Sequence, residues 1–138
     1  MIDVENDIYS TVANILRTNF PGIKVDSSFI ADPDKSPYVS IVEADNRVNR
    51  RMRTVKIENA VEVMYEVNVI SNKSSGKKTQ AKDIANTIDQ AFEDLGFTRT
   101  MREQVPNYLD ASAFRLVMRY EAIIGPAREE GKFLVYQN

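Results

Sequence analysis

The sequence predicts an α+β domain, a mostly antiparallel sheet with two helices packed on one face, in the order α-β-β-β-α-β-β. Three observations carry this. Val61, Val63, Tyr65, Val67 and Val69 alternate with Glu62, Met64, Glu66 and Asn68, the period of a strand with one apolar face. After the polar loop Ser71-Asn72-Lys73-Ser74-Ser75-Gly76-Lys77-Lys78, Ala81, Ile84, Ala85, Ile88, Ala91, Phe92 and Leu95 recur at helical spacing. Earlier, Ile8, Val12, Ile15, Leu16 and Phe20 share one face of another helix.

The remaining elements follow in order. The first helix spans roughly Asn6 to Asn19, with Asp3 or Asn6 as its cap and Pro21-Gly22 as its stop. Ile23 to Ile30 is a short extended piece, and Asp32 to Pro37 is a loop rich in turn formers. Tyr38 to Ala44 has no clean alternation, which suits a strand buried on both faces. Gly96 closes the second helix, whose start is expected to be capped by a Ser or Thr of the preceding loop. Phe97 to Val105 is a strand ending before Pro106, and Asn107 to Ser112 is a turn. Ala113 to Ile124 is the last strand of the domain. Phe114, Leu116, Met118, Tyr120 and Ala122 lie on one face and Arg115, Arg119 and Glu121, with Val117 and Ile123, on the other. The domain is placed at 1–124, with 125–138 as a C-terminal extension.

At 138 residues the chain is long enough for one domain with its own core. His, Cys and Trp are absent, which removes disulfides, thiolate nucleophiles, thiolate or imidazole metal ligands and the commonest general base. The expectation is therefore no enzyme, no cofactor and no metal site. No apolar run reaches membrane-spanning length and the acidic start has no signal-peptide pattern, so synthesis in the cytoplasm and no membrane partner are expected. The net charge of −2 conceals an asymmetry. Five of the 18 basic residues fall between 47 and 56 with no acidic residue among them, leaving 13 against all 20 acidic residues, a net of −7.

That basic segment, Arg47, Arg50, Arg51, Arg53 and Lys56 with Met52 among them, is the sharpest candidate site. Arginine occupies both parities, so neither face of an extended segment fits a core, and about 45–59 reads as a projecting hairpin or arm. The bland alternative is a solvated loop, which would not need the interspersed Val48, Met52, Val55 and Ile57. The arm's partner is either nucleic acid, bound through phosphates, or the acidic body of a second subunit in a head-to-tail contact. The lack of aromatic residues in the arm and the acidic body favour the second. A smaller constellation, Glu62, Glu66, Arg115 and Arg119, falls on one sheet face if the two long strands pair, and cross-strand ion pairs follow. Ser74 to Thr79 is only a faint echo of a phosphate-binding loop, because position 71 is Ser and Lys78 intervenes before Thr79. Asp3, Glu5 and Asp7, and Asp32 with Asp34, do not match a calcium loop.

Taken together, Tyr38 to Asn46, Glu58 to Val69, Gly76-Lys77-Lys78 with the following helix, Leu95 to Thr100 and the closing Arg119-Tyr120-Glu121-Ala122 resemble the small tail terminator proteins of tailed phages and prophages. These are also labelled tail completion, head–tail joining or minor capsid proteins. The likeness covers about Ile8 to Ile124 and rests on element order and local phrases. The resemblance implies a tail terminator-like α+β subunit that forms a ring, typically of six. Such a ring ends the tail tube at its head-proximal end and meets a sheath or a head connector or collar, with genome DNA only passing through the channel. It implies assembly in the host cytoplasm and a place in the virion or phage-tail-like particle. It supplies no catalytic residues. The extension lies outside the likeness, and its apolar Phe133, Leu134 and Tyr136 are expected to contact the tail or pair with a neighbouring subunit's sheet edge.

The helix assignment has a direct consequence. Ile88→Asp places a charge in the core and is expected to unfold the domain, seen as loss of the cooperative thermal transition; an unchanged melting temperature would refute the assignment.

Overall fold

The computed structural model describes residues 4–30, 33, 35–48, 60–106 and 112–125, and the backbone of 135–136. The elements are α1 (Glu5–Asn19), β1 (Lys24–Asp26), β2 (Tyr38–Val48), β3 (Val61–Ser71), α2 (Lys77–Asp94), β4 (Thr98–Gln104), β5 (Phe114–Ile124) and β6 (Val135–Tyr136). They form an α+β fold with one mixed sheet in the spatial order β1-β2-β3-β5-β4. The pairs β2–β3, β3–β5 and β4–β5 are antiparallel, whereas β1 runs parallel to β2. No described helix is long and apolar enough to cross a membrane.

Both helices cover one face. Val63, Tyr65, Val67 and Val69 of β3 join Val39 and Ile41 of β2 and Phe114, Leu116, Met118 and Tyr120 of β5 in one apolar cluster with α1 and α2. Ile8, Val12 and Leu16 of α1 and Ile84, Ile88 and Phe92 of α2 are wholly buried in it. Each such side chain contributes about 1.5–3 kcal/mol of burial. Four aromatic rings lock α2 onto the sheet. Phe92 stacks on Tyr120 with centroids 4.3 Å apart and meets Tyr65 at 5.9 Å and Phe97 at 5.2 Å.

The helix ends differ from expectation at their starts and agree at their stops. Val4, not Asp3 or Asn6, sits at the cap of α1, and no side chain caps it. Glu5 and Asp7 in the first turn and Arg17 in the last complement the helix dipole instead. At α2 the cap is Gly76 at φ +79°, not a Ser or Thr; its carbonyl accepts the Gln80 N–H at 2.9 Å. The α2 stop is a Schellman turn. Gly96, at φ +90°, donates to the Glu93 carbonyl and Phe97 to the Phe92 carbonyl, both at 2.9 Å. The Phe92–Phe97 ring contact is the apolar clasp that accompanies this turn.

Two further findings concern the basic segment and the extension. Asp45 to Val48, expected in a projecting hairpin or arm, are paired with β3, as Asp45↔Met64, Asn46↔Val63, Arg47↔Glu62 and Val48↔Val61. Residues 49–59 lie outside the described residues. Within the extension, Val135 and Tyr136 pair with Ile124 and Ile123 of the same chain. Since β3 occupies one edge of β5 along its whole length, β6 takes the edge that β4 vacates beyond Glu121. Phe133 and Leu134, expected with Tyr136 to contact the tail or a neighbour's sheet edge, lie outside the described residues, and of Tyr136 the backbone alone is described.

The Tyr120 hydroxyl donates to Asp89 Oδ1 of α2 at 3.0 Å, and Arg99 of β4 holds the same carboxylate at 3.2 Å. Burial, reinforced by the Asp89 charge, pushes the Tyr120 pKa far above its ordinary 10.0. The unfolded chain releases this proton first, so the stability involved is complete below about pH 10 and falls as pH rises further. Tyr120→Phe is therefore expected to lose less stability than the native chain between neutral pH and about pH 11, measured by urea unfolding. An identical alkaline decline in both would refute it.

Candidate interaction face

The sheet face away from the helices is divided into two halves. Near β1 it is covered. Tyr38, Ser40, Asn68, Ile70 and Val117 point to this side and are buried, although both described helices lie on the other. The chain between β1 and β2 supplies the cover. Tyr38 Oη accepts the Ile30 N–H at 3.1 Å and donates to the Ser28 carbonyl at 2.8 Å. Burial raises the Tyr38 pKa, an effect the hydrogen bond from Ile30 partly opposes. The Arg115 guanidinium lies 4.5 Å from the Phe29 ring centroid and donates to Asn68 Oδ1 at 2.9 Å. Phe29 and Ile30 keep 38% and 45% of their surface in solvent, the edge of this cover.

The half nearer residues 48 and 61 has no such cover among the described residues. A bulge in β2 between Glu43 and Asp45 makes it charged. Before the bulge, even-numbered β2 residues face this side; after it, odd-numbered ones do, because Glu43 opposes Tyr65 but Asp45 opposes Met64. Arg47 is thereby set opposite Glu62, and its Nε donates to Glu62 Oε2 at 2.6 Å. Asp45 Oδ2 lies 3.9 Å from the same guanidinium. The hydrogen bond and charge of Glu62 raise the Arg47 pKa, with Asp45 and Glu121 adding to the effect. Next along the face, Arg119 of β5 pairs with Glu66 of β3 at 3.1 Å.

Beside these pairs is a hollow of about 250 Å³, bounded by Asp45, Arg47, Glu62, Met64, Thr98, Thr100, Glu121 and Ile123, with Val63 and Ala122 completing it. A second groove, of about 390 Å³, lies between α1 and α2, along Ile15, Asn19, Asn86, Thr87, Gln90, Ala91 and Asp94.

The residues singled out in the sequence are thus distributed as follows. Glu62, Glu66, Arg115 and Arg119 do share one face, but only Glu66 and Arg119 pair with each other. Glu62 is bound by Arg47, and Arg115 by Asn68 and Phe29. Of the basic segment, Arg47 belongs to the sheet, while Arg50, Arg51, Met52, Arg53 and Lys56 lie outside the described residues. Val135 and Tyr136 are held by their backbone to β5. Lys77, from the loop with a faint phosphate-binding look, donates to the Ser112 carbonyl and so ties the start of α2 to the start of β5. Among the described residues no group of His, Cys, Asp and Glu is placed to hold a metal ion.

Asp45, Met64, Thr98, Thr100 and Ile123 were not singled out. The bulge that gathers Asp45 and Arg47 carries no glycine and leaves no mark in the pattern, and Thr98 and Thr100 join only through the β4–β5 register.

The Glu66–Arg119 side chains remain 30% and 44% exposed, so their coupling is that of a surface pair. A double-mutant cycle with Glu66→Ala and Arg119→Ala, read by urea unfolding, should give about 0.2–1 kcal/mol, shrinking at about 1 M salt, where screening acts over about 3 Å.

No known protein-family model matches this chain, and no curated protein matches it.

Proposed function

We propose that this chain is a structural assembly subunit of a phage or phage-tail-like particle. In this reading it is a tail terminator-like protein whose ring, six-membered by the resemblance, caps the tail tube and joins it to the head or collar. The supporting observation is the charged half of the sheet face, left uncovered by the described residues and carried by the same strands, β2 and β3, that flank the basic segment.

A sheet with helices on one side must leave its other face to solvent, to a loop or to a partner. The half near β1 has its own loop; the far half carries Arg47–Glu62 and Arg119–Glu66 instead. Such exposed pairs add little to stability but select partner and register when another surface meets them. The arm bearing Arg50, Arg51, Arg53 and Lys56 then contacts the neighbouring subunit or the tail-tube ring. The same arm could instead bind phosphate, but Asp45, Glu62 and Glu121 beside its exit oppose a nucleic acid. Steeply salt-dependent DNA binding by the free subunit would favour that second reading.

The double variant Arg50→Glu with Arg51→Glu should keep the melting temperature of the native chain and fail in assembly, giving particles with tails of abnormal length. Normal tail lengths by electron microscopy would overturn the arm's role.

A further inference from the structure

The hollow at the end of the sheet face far from β1 has a composition that selects its occupant. Three carboxylates, those of Asp45, Glu62 and Glu121, stand around one cation, Arg47, leaving a net charge of −2 over a floor that includes Met64 and Ile123. Its volume of about 250 Å³ is below the roughly 300–1,000 Å³ of small-molecule sites. It is the size of side chains rather than of a metabolite. What fits is a cationic side chain with an apolar stem or an apolar neighbour, offered by a peptide.

The chain carries such a peptide. Arg50, Arg51, Met52 and Arg53 combine three cations with one unbranched apolar side chain, and Lys56 follows. We infer that the hollow receives the basic segment 50–56 of a second copy of this chain. This rests on the assembly reading and names the surface that the arm meets. Charge complementarity selects this occupant: Arg50, Arg51, Arg53 and Lys56 bring four cations to a hollow of net charge −2. Donor segment and receiving hollow are different surfaces of one chain, so the contact is heterologous and propagates from copy to copy, closing when the rotation permits. Glu121 is the natural reporter, being exposed at the rim and opposite Thr98 in the β4–β5 ladder.

The absence of cysteine makes the test direct. Glu121→Cys and Arg51→Cys are prepared as separate full-length proteins, checked for native melting temperatures, mixed in equal amounts and oxidised. The expected result is a mixed disulfide dimer several-fold more abundant than either homodimer, its yield falling at about 1 M salt, where charge attraction is screened. A mixed dimer at no more than the random share, or no dimer, overturns the inference. So does a Glu121→Cys/Arg51→Cys double variant that closes its disulfide mainly within one chain at high dilution, since the occupant is then the chain's own segment. If cross-linking fails while Arg50→Glu/Arg51→Glu particles still have tails of abnormal length, the receiving site is wrong and the assembly reading stands. If cross-linking succeeds and those tails are normal, the copies associate but the terminator reading fails.

Discussion

Everything in this molecule is referred to β3. It lies at the middle of the sheet, hydrogen-bonded along essentially its whole length to β2 on one edge and β5 on the other. Its odd-numbered side chains are buried without exception from Val61 to Val69. Because a strand's side-chain period is two, a slip of one residue would carry all of them to the other face. The burial of Tyr65 and Val67 beneath α2 therefore fixes the pairing of both neighbours as well. Glu62, Glu66 and Asn68 have no freedom to choose their face; they are delivered to it by the residues between them.

The second face is consequently a by-product of the first, and the chain treats its two halves differently. Near β1 a loop folds over it and satisfies Tyr38 through both a donor and an acceptor. At the other end the polar side chains satisfy one another across strands, as Arg47 does with Glu62 and Arg119 with Glu66. The first solution buries apolar area and adds to stability. The second is close to neutral for the subunit alone. Groups that are nearly indifferent to folding can be chosen for what they do to a partner, which is why the proposed function is built on that end.

How much of this was legible depended on the length of the pattern. Val61 to Val69 and Ala81 to Leu95 are long runs with one period each, and they appear where the periodicity places them. The α2 stop was legible too, since Gly96 is required for the left-handed position there. What depended on distant parts of the chain was not legible. The parallel pairing of Lys24 with Tyr38, the burial of Ile70 and Val117 on the face away from the helices and the return of Val135 to Ile124 are set by contacts that leave no local period. The starts of the helices were misjudged because Gly76 and Val4 take cap positions that side-chain preference assigns to Ser, Thr, Asp or Asn.

The bulge beside Ala44 has one more consequence. It resets the phase of β2, so the strand is two messages written in one line. Up to Glu43 the residues answer to the interior, as the burial of Val39 and Ile41 requires. From Asp45 onward they answer to whatever lies outside. The two stretches can drift separately: a homologue could exchange Asp45 and Arg47 to suit a new neighbour without touching the core, because the boundary between the two vocabularies is a single residue wide.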